Sequence, residues 1–449
     1  MDFAFSDIAG ILGKRVKEAE KRLVITGFST DTRTIEPGMM FIAIPGENFD
    51  GGDYVEKALE MGASGAITEK DIETDGVIRV ENVISALGKL ALNHRSRFDI
   101  PVVAVTGSTG KTSTKNFIES VLSTRYNTHS TQGNLNNHIG LPMTLLKLEE
   151  NHEASVIEMG MNNLGEIDYL AGMTKPDIGV ITNIGMSHIG ILGSRQNIFK
   201  AKTEIIPHIN EGGLLVTNGD DEFLGNLVEL KKPDVLLYGS SENSHIIFKD
   251  EHIDDNGCFS FSVDGEKFRL SVPGRHNIYN ALAALAVGRE LGLSYDEIRM
   301  GLLNFRQDKL RLEILEIKGI RIINDSYNAS PDSMKAALDI LADQQGRKIA
   351  VLGDMLEMGD FSKKAHTELG NLAADCADII VCCGPEARYI AKGAATNGFS
   401  SKYLFNCNNS DEAAAIVYGI LEEGDNVLVK GSRGMKMENV VKYIEAGGN

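Results

Sequence analysis

Val102-Val103-Ala104-Val105-Thr106-Gly107-Ser108-Thr109-Gly110-Lys111-Thr112-Ser113 is an apolar, β-branched run broken by two glycines and a Lys-Thr pair. It reads as a buried strand that turns sharply into a helix beginning near Lys111, with Phe117, Ile118, Val121 and Leu122 as the helix's apolar stripe. Backbone N–H groups in such a turn converge on one spot, and the helix N-terminus adds partial positive charge, so the loop is an anion cradle. Lys111 is placed to reach the outer phosphates of a nucleotide, and the Thr112 hydroxyl to ligate Mg²⁺. The spacing is unusual: the common G-x-x-x-x-G-K-[ST] loop needs glycine at 105, where this chain has valine, and the first glycine is Gly107.

A chain of 449 residues exceeds one ordinary core, so two to three domains are expected. The 42% hydrophobic and 24% charged composition is that of a globular protein. No apolar run approaches the ~20 residues that span a bilayer, and the start MDFAFSDIAG lacks a secretory pattern, so a cytoplasmic protein is expected. Five scattered cysteines suit buried thiols better than a metal or disulfide framework. A net charge of −18 argues against a nucleic-acid surface, while leaving room for anionic substrates in a locally basic cleft.

Residues 1–98 read as a small α/β domain, with a strand at Met40 to Ile44, a loop from Pro45 to Gly52 that includes Glu47 and Asn48, and a helix from Val83 to Phe98. Residues 99–310 alternate strands and helices, the pattern of a parallel sheet. Turns at Asp255-Asn256-Gly257 and Asp264-Gly265 suggest antiparallel hairpins at its edge. From 311 to 449, βα alternation resumes as a Rossmann-like domain without the G-x-G-x-x-G fingerprint. The expected class is α/β in three domains, the central one a P-loop ATPase.

Ligands of open α/β sheets gather at the carboxyl ends of the strands. Besides the loop, Glu158 ends an apolar strand, Val156-Ile157-Glu158, and suits Mg²⁺. His188 follows the strand ending near Thr182. Lys202 lies on the next helix, with Lys200 as a second candidate, and by composition alone either lysine reads as a solvated surface residue.

Thr106 to Thr112, Gly133-Asn134-Leu135-Asn136-Asn137, Glu158-Met159-Gly160, Asn183 to His188 and Lys200-Ala201-Lys202 together resemble the Mur ligase family of ATP-dependent amide-forming enzymes, in which the shortened glycine loop is the usual form. The resemblance continues through Pro273 to Ala281, Asn324 to Pro331, Val351 to Glu357 and Lys430 to Gly434. With Ser29 to Arg33, these segments resemble the branch that adds D-alanyl-D-alanine to UDP-N-acetylmuramoyl-tripeptide through an acyl phosphate. The resemblance implies ATP, two Mg²⁺ ions held by Thr112, Glu158, His188 and Lys202, and a Lys202 carbamylated by CO₂. It implies that Thr106, Gly107, Ser108, Thr109, Gly110, Lys111, Thr112 and Ser113 bind phosphates, that Asn277 and Asn280 lie near the adenine, and that Arg311 and Asp325 meet phosphates and ribose. Tyr327 and Asn328 would face the dipeptide, Asn134 and Asn137 the phosphates and acyl acceptor, and Ser29, Thr30 and Arg33 the UDP end. Lys111, Glu158, His188 and Lys202 form the implied catalytic set, and a monomer without nucleic-acid partners is expected.

Three positions depart from the family pattern: Gly52 replaces a common histidine, Leu310 a glycine before the linker arginine, and Thr32 a serine. Two other readings stay open at this point. One is another amide ligase of the group, or a folylpolyglutamate synthetase. The other is a nucleotide-dependent switch, which needs the phosphate loop but no second metal site.

Overall fold

The computed structural model describes residues 2–46, 49–255 and 257–448. Glu47 and Asn48 of the Pro45 to Gly52 loop and Asn256 of the Asp255 to Gly257 turn, both singled out above, lie outside the described residues. Three main sheets follow one another along the chain, as the alternating pattern predicts.

The N-terminal sheet is parallel, in the order Phe28–Ser29, Met40–Ile42, Gly65–Thr68, Val77–Arg79, and a two-stranded ribbon pairs Phe3–Ala4 with Val24–Ile25. The strand from Met40 stops at Ile42, two residues short of the expectation. Helix Val83–Arg95 follows, ending three residues before Phe98. Asn82 starts it by accepting the Ser85 N–H at 2.7 Å.

The central sheet has nine strands in the order Glu266–Pro273, Cys258–Val263, Ile246–Ile253, Asp234–Gly239, Leu214–Asn218, Ile178–Ile181, Val102–Thr106, Ala154–Glu158, Thr128–Ser130. Seven of these strands run parallel, and the last hairpins at one edge are antiparallel, as the turn signals indicate. Val102–Thr106 is buried along its whole length between Ile178–Ile181 and Ala154–Glu158, which explains why every residue from 102 to 105 is apolar.

The third sheet runs Glu313–Ile317, Ile320–Asp325, Asn426–Lys430, Lys348–Gly353, Ile379–Cys383, Leu404–Cys407, parallel apart from its first strand. The chain crosses to it through residues 305–312. Leu310 and Leu312 both occupy the left-handed region there, at φ 64° and 52°. The departure at 310 therefore puts a branched side chain where glycine is the unstrained choice. The departure at Gly52 has a visible neighbour: a Cβ there would lie 2.7 Å from the Lys70 stem, whose ammonium bridges Asp50 and Asp53. No helix among the described residues is long and apolar enough to cross a membrane.

Candidate functional site

Gly107 and Gly110 give the phosphate loop its shape. Gly107 has φ 151°, and a Cβ on it would fall 1.8 Å from Thr182 Oγ1. Gly110 starts helix Lys111–Leu122 at φ 76°, and its missing Cβ would sit 2.8 Å from Asn280 Oδ1. Asn183 splints the turn. Its carbonyl accepts the Ser108 N–H (3.0 Å), its Oδ1 accepts the Thr109 N–H (3.1 Å), and its Nδ2 donates to the Thr109 carbonyl (3.1 Å). Two of the loop's own donors are thereby used to hold the turn. The cradle that remains for an anion is the first turn of the helix, where the N–H groups of Lys111, Thr112 and Ser113 have no intrahelical partner.

The Lys111 ammonium folds back onto the carbonyls of Gly107 (2.8 Å) and Ser108 (3.3 Å). Burial pushes its pKa below the usual lysine value, opposed by the nearby Glu158 charge and reinforced by Arg311. Thr106 is fully buried and donates to the Met159 carbonyl at 3.0 Å, so its hydroxyl fastens the strand end.

Glu158 is 1% exposed. Asn136 Nδ2 donates to its Oε1 at 2.6 Å, and its other oxygen is buried without a hydrogen bond. An orphaned carboxylate oxygen beside a helix N-terminus is a cation-seeking group. No group of three His, Cys, Asp or Glu side chains converges as a ready metal cage among the described residues.

Lys202 does not behave as the solvated residue its composition suggests. It is 1% exposed on helix Arg195–Thr203, while Lys200 on the same helix is exposed. Burial, and then the charge of Lys111, push the Lys202 amine well below the ordinary lysine range.

The phosphate loop opens on a cleft of about 630 Å³ between the second and third sheets. Of the residues predicted from sequence, Ser108 to Ser113, Asn137, Glu158, His188, Asn280, Arg311, Asp325, Tyr327 and Asn328 line it. Arg311 stacks over the Tyr327 ring, 3.8 Å from its centroid. Asp325 pairs with Lys430 at 2.5 Å, and Lys430 also donates to the Asn328 carbonyl at 2.9 Å. Lys430 is 2% exposed, so this is a pair whose separation would leave a buried charge.

Other predicted residues lie elsewhere. Asn277 is buried behind the cleft, its Nδ2 donating to the Pro273 carbonyl and its Oδ1 accepting from Asn280, so it orients Asn280. Asn134 is exposed and does not line the cleft. Ser29, Thr30 and Arg33 sit on the N-terminal sheet away from it. The Ser29 hydroxyl is spent on the Asp31 carbonyl and Thr34, and Arg33 pairs with Asp31.

Sequence reasoning gave no role to Asn183, Asn136, Lys430 or His276. Burial, and then Lys430, hold His276 near 4 against the pull of Asp325, so a neutral imidazole lines the cleft. A polar residue just past a strand end was the signal for Asn183. His276 sits in a helix start whose depth cannot be read from spacing.

Comparison with known proteins identifies the family. Residues 24–104 match the description Mur ligase family, catalytic domain; residues 105–288 match Mur ligase middle domain; and residues 310–433 match Mur ligase, glutamate ligase domain. A Bacillus subtilis protein is 39% identical over 434 residues, covering 94% of each chain. The chain belongs to the Mur ligase family. That relative is named UDP-N-acetylmuramoyl-tripeptide--D-alanyl-D-alanine ligase, as is one from Escherichia coli, 34% identical over 99% of this chain and 98% of its own. Among solved structures, an Acinetobacter baumannii MurF superposes with a TM-score of 0.90 at 31% identity, covering 99% of both chains. The Thermotoga maritima MurF ligase in complex with ADP superposes with a TM-score of 0.84 at 31% identity, covering 94% of this chain and 97% of its own. The family reading excludes the switch.

Proposed function

We propose that this Mur ligase joins D-alanyl-D-alanine to UDP-N-acetylmuramoyl-tripeptide, using ATP and releasing ADP and phosphate. The observation that carries the reading is the cleft itself, which sets an anion cradle, an orphaned carboxylate oxygen and a polar wall from the third sheet around one cavity. The relatives' names supply the substrates. We further propose three domains at 1–98, 99–310 and 311–449, and a monomer acting in the cytoplasm.

A peptide carboxylate is a poor electrophile and shares the sign of ATP's charge. In this reading the first turn of the Lys111 helix and the Lys111 ammonium hold the β- and γ-phosphates, and Lys111 leaves the loop carbonyls to do so. The substrate carboxylate oxygen then attacks the γ-phosphorus in line. The bond to the β-phosphate oxygen breaks, leaving ADP and an acyl phosphate. The free amine of the dipeptide attacks the acyl carbon, loses a proton, and expels phosphate as the amide forms. Water would hydrolyse the acyl phosphate, so the wall built from Arg311, Asp325, Tyr327 and Asn328 must exclude it while positioning ribose and dipeptide.

Thr112, Glu158 and His188 would hold Mg²⁺, which neutralises the triphosphate when bound. The buried Lys202, its amine pKa lowered, suits carbamylation by CO₂, which would turn the amine into a carboxylate-like carbamate. Asn280, oriented by Asn277, would face the adenine and Asn137 the acyl acceptor, with Asn134 reaching it only from outside the cleft. Ser29, Thr30 and Arg33 would meet the UDP end.

The test is product mass after incubation with ATP, Mg²⁺, UDP-linked tripeptide and D-alanyl-D-alanine, with glutamate or a diamino acid as competing acceptors. Dipeptide-specific phosphate release and the matching mass are expected; release with glutamate alone would overturn the reading. Lys111→Ala is expected to lower kcat at least about 10²–10³-fold. Lys202→Ala should be inactive and regain activity with added short carboxylates; full activity without them would sink the carbamate.

A further inference from the structure

His188 and Glu357 meet across the boundary between the second and third sheets, and each does so at a backbone cost. His188 stands at φ 63° and Glu357 at φ 62°, both in the left-handed region although neither is glycine. Glu357 Oε2 lies 2.6 Å from His188 Nδ1, in close contact but off the line of a ring N–H bond. Two residues further on, the Gly190 N–H donates to the Glu357 carbonyl at 3.0 Å. That approach is possible only without a side chain: a Cβ on Gly190 would lie 2.5 Å from the Glu357 carbonyl oxygen and 2.5 Å from the Gly359 nitrogen. Beside it, the Met186 N–H donates to Asp332 Oδ2 at 3.0 Å.

The segment carrying Glu357 is pinned to its own sheet. The Met355 N–H donates to His366 Nε2 (2.9 Å), and the Leu356 N–H donates to Ser432 Oγ (2.8 Å). The Ser432 N–H in turn donates to the Asp354 carbonyl (3.0 Å). His366 is fully buried, and its other nitrogen is held by the Ser362 carbonyl at 2.8 Å. A segment fixed at two successive residues moves with its domain, so any shift of the third domain is delivered to Glu357 and from there to His188.

We propose that Glu357 is a positioning residue, a latch that seats the C-terminal domain on the loop of His188 and fixes that imidazole's place at the phosphate end of the cleft. The proposal deepens the function given above and rests on it for the role of His188. Seating the domain and setting His188 become one event, so a ligand that lifts the domain also frees the imidazole.

Two variants on opposite sides test it. Glu357→Gln keeps the shape of a half-exposed side chain, and Gly190→Ala blocks the backbone approach without touching any ionisable group. The first measurement is small-angle scattering of the ligand-free enzyme, which needs neither metal nor turnover. Both variants are expected to give a larger radius of gyration than the wild type. The second is steady-state kinetics at saturating Mg²⁺. Glu357→Gln should lower kcat about tenfold or more while KM for the dipeptide stays within about twofold, and Glu357→Asp should recover part of the loss. Scattering curves that superpose on the wild type overturn the latch, and an unchanged kcat overturns the positioning role. Failure of the underlying reading is seen separately, as wild-type ligation by His188→Ala.

Discussion

Helix Val83–Arg95 fastens the N-terminal sheet to the central one along a whole helix, whereas at the C-terminal sheet loop-to-loop polar contacts and a strained linker stand beside a continuation of the same apolar core. At the first joint Gly88 lets the helix lie against Tyr169 and Met173. His94, 2% exposed, packs against the Phe3 and Phe98 rings and donates from Nε2 to the Leu148 carbonyl at 2.9 Å. Arg95 reaches the carbonyls of Thr174 (3.1 Å) and Phe98 (2.7 Å). At the second joint the corresponding contacts are His188 with Glu357, Gly190 with Glu357 and Met186 with Asp332, beside a linker holding two leucines at positive φ. The difference teaches where movement can occur. Separating the first joint orphans the buried polar groups of His94 and Arg95, while the polar contacts of the second joint are ones that water can replace and its remaining hold is the apolar core around Ile189 and Met358.

The largest effect that could break this contrast is at the first joint. Leu87 is fully buried in the core that runs from the N-terminal sheet through the central one and on into the third. Leu87→Ala is expected to cost about 2–5 kcal/mol. Denaturant unfolding read by a probe in each of the two units should show both midpoints falling together. If only the N-terminal probe moved, the two units would not share a core and the contrast would fail.

A smaller effect comes from acid. Burial lowers the pKa of His94, whose Nδ1 is buried without a partner. The unfolded chain therefore takes up a proton as pH drops below the ordinary histidine value, about 6.5, while the folded joint resists it. The contribution to stability is full above that value and is lost as pH falls toward the depressed folded pKa, at about 1.4 kcal/mol for each unit of depression. His94→Gln keeps a donor for Leu148 and removes the titration. Its stability should fall less than the wild type's between pH 7.5 and 5; His129 and His276, both held near 4, contribute the same acid slope to both proteins and cancel. Equal slopes would remove His94 from the account.

The phosphate loop was legible in sequence because its chemistry is local, whereas the packing of the first joint, where the boundary near Ser96 to Pro101 reads as a hinge, was not. A fully buried strand must be apolar at every position, and two glycines before Lys-Thr leave little else for the turn to be. The strands at Thr128–Ser130, Asp234–Gly239 and Glu313–Ile317 were missed because they are short or carry charge: Asp234 opens one of them, and Glu313 and Glu316 put a carboxylate on each face of another. In the site, Glu158 could be placed from its strand end. The depth of Lys202 could not, because its burial comes from packing of the whole helix against the sheet and its composition is that of a surface lysine. Glu357 was quoted only within a motif. Its role comes from a meeting of two loops far apart in the chain, and no spacing rule encodes that.

The smallest effect is the most telling about the second joint. Leu310 sits at φ 64°, its carbonyl accepts the Tyr327 N–H at 3.0 Å, and its own N–H donates to Glu313 Oε2 at 3.2 Å. Those bonds hold the linker against the third sheet and keep Arg311 over Tyr327. Leu310→Gly relieves a left-handed strain of about 1–2 kcal/mol, but it also loses partly buried apolar area and gives the unfolded chain more freedom, a cost of similar size. Net stability should therefore change by less than about 1 kcal/mol, with the backbone bonds intact. The hinge should change more than the stability does. With no side chain to restrict φ, the linker can leave the left-handed basin freely, so proteolysis between 305 and 312 in the ligand-free enzyme should quicken severalfold, and ATP with the UDP-linked substrate should restore protection. If the glycine variant were cleaved no faster than the wild type, the strained leucine would not be what holds the second joint, and its hold would rest on the contacts at Glu357 and on the apolar core.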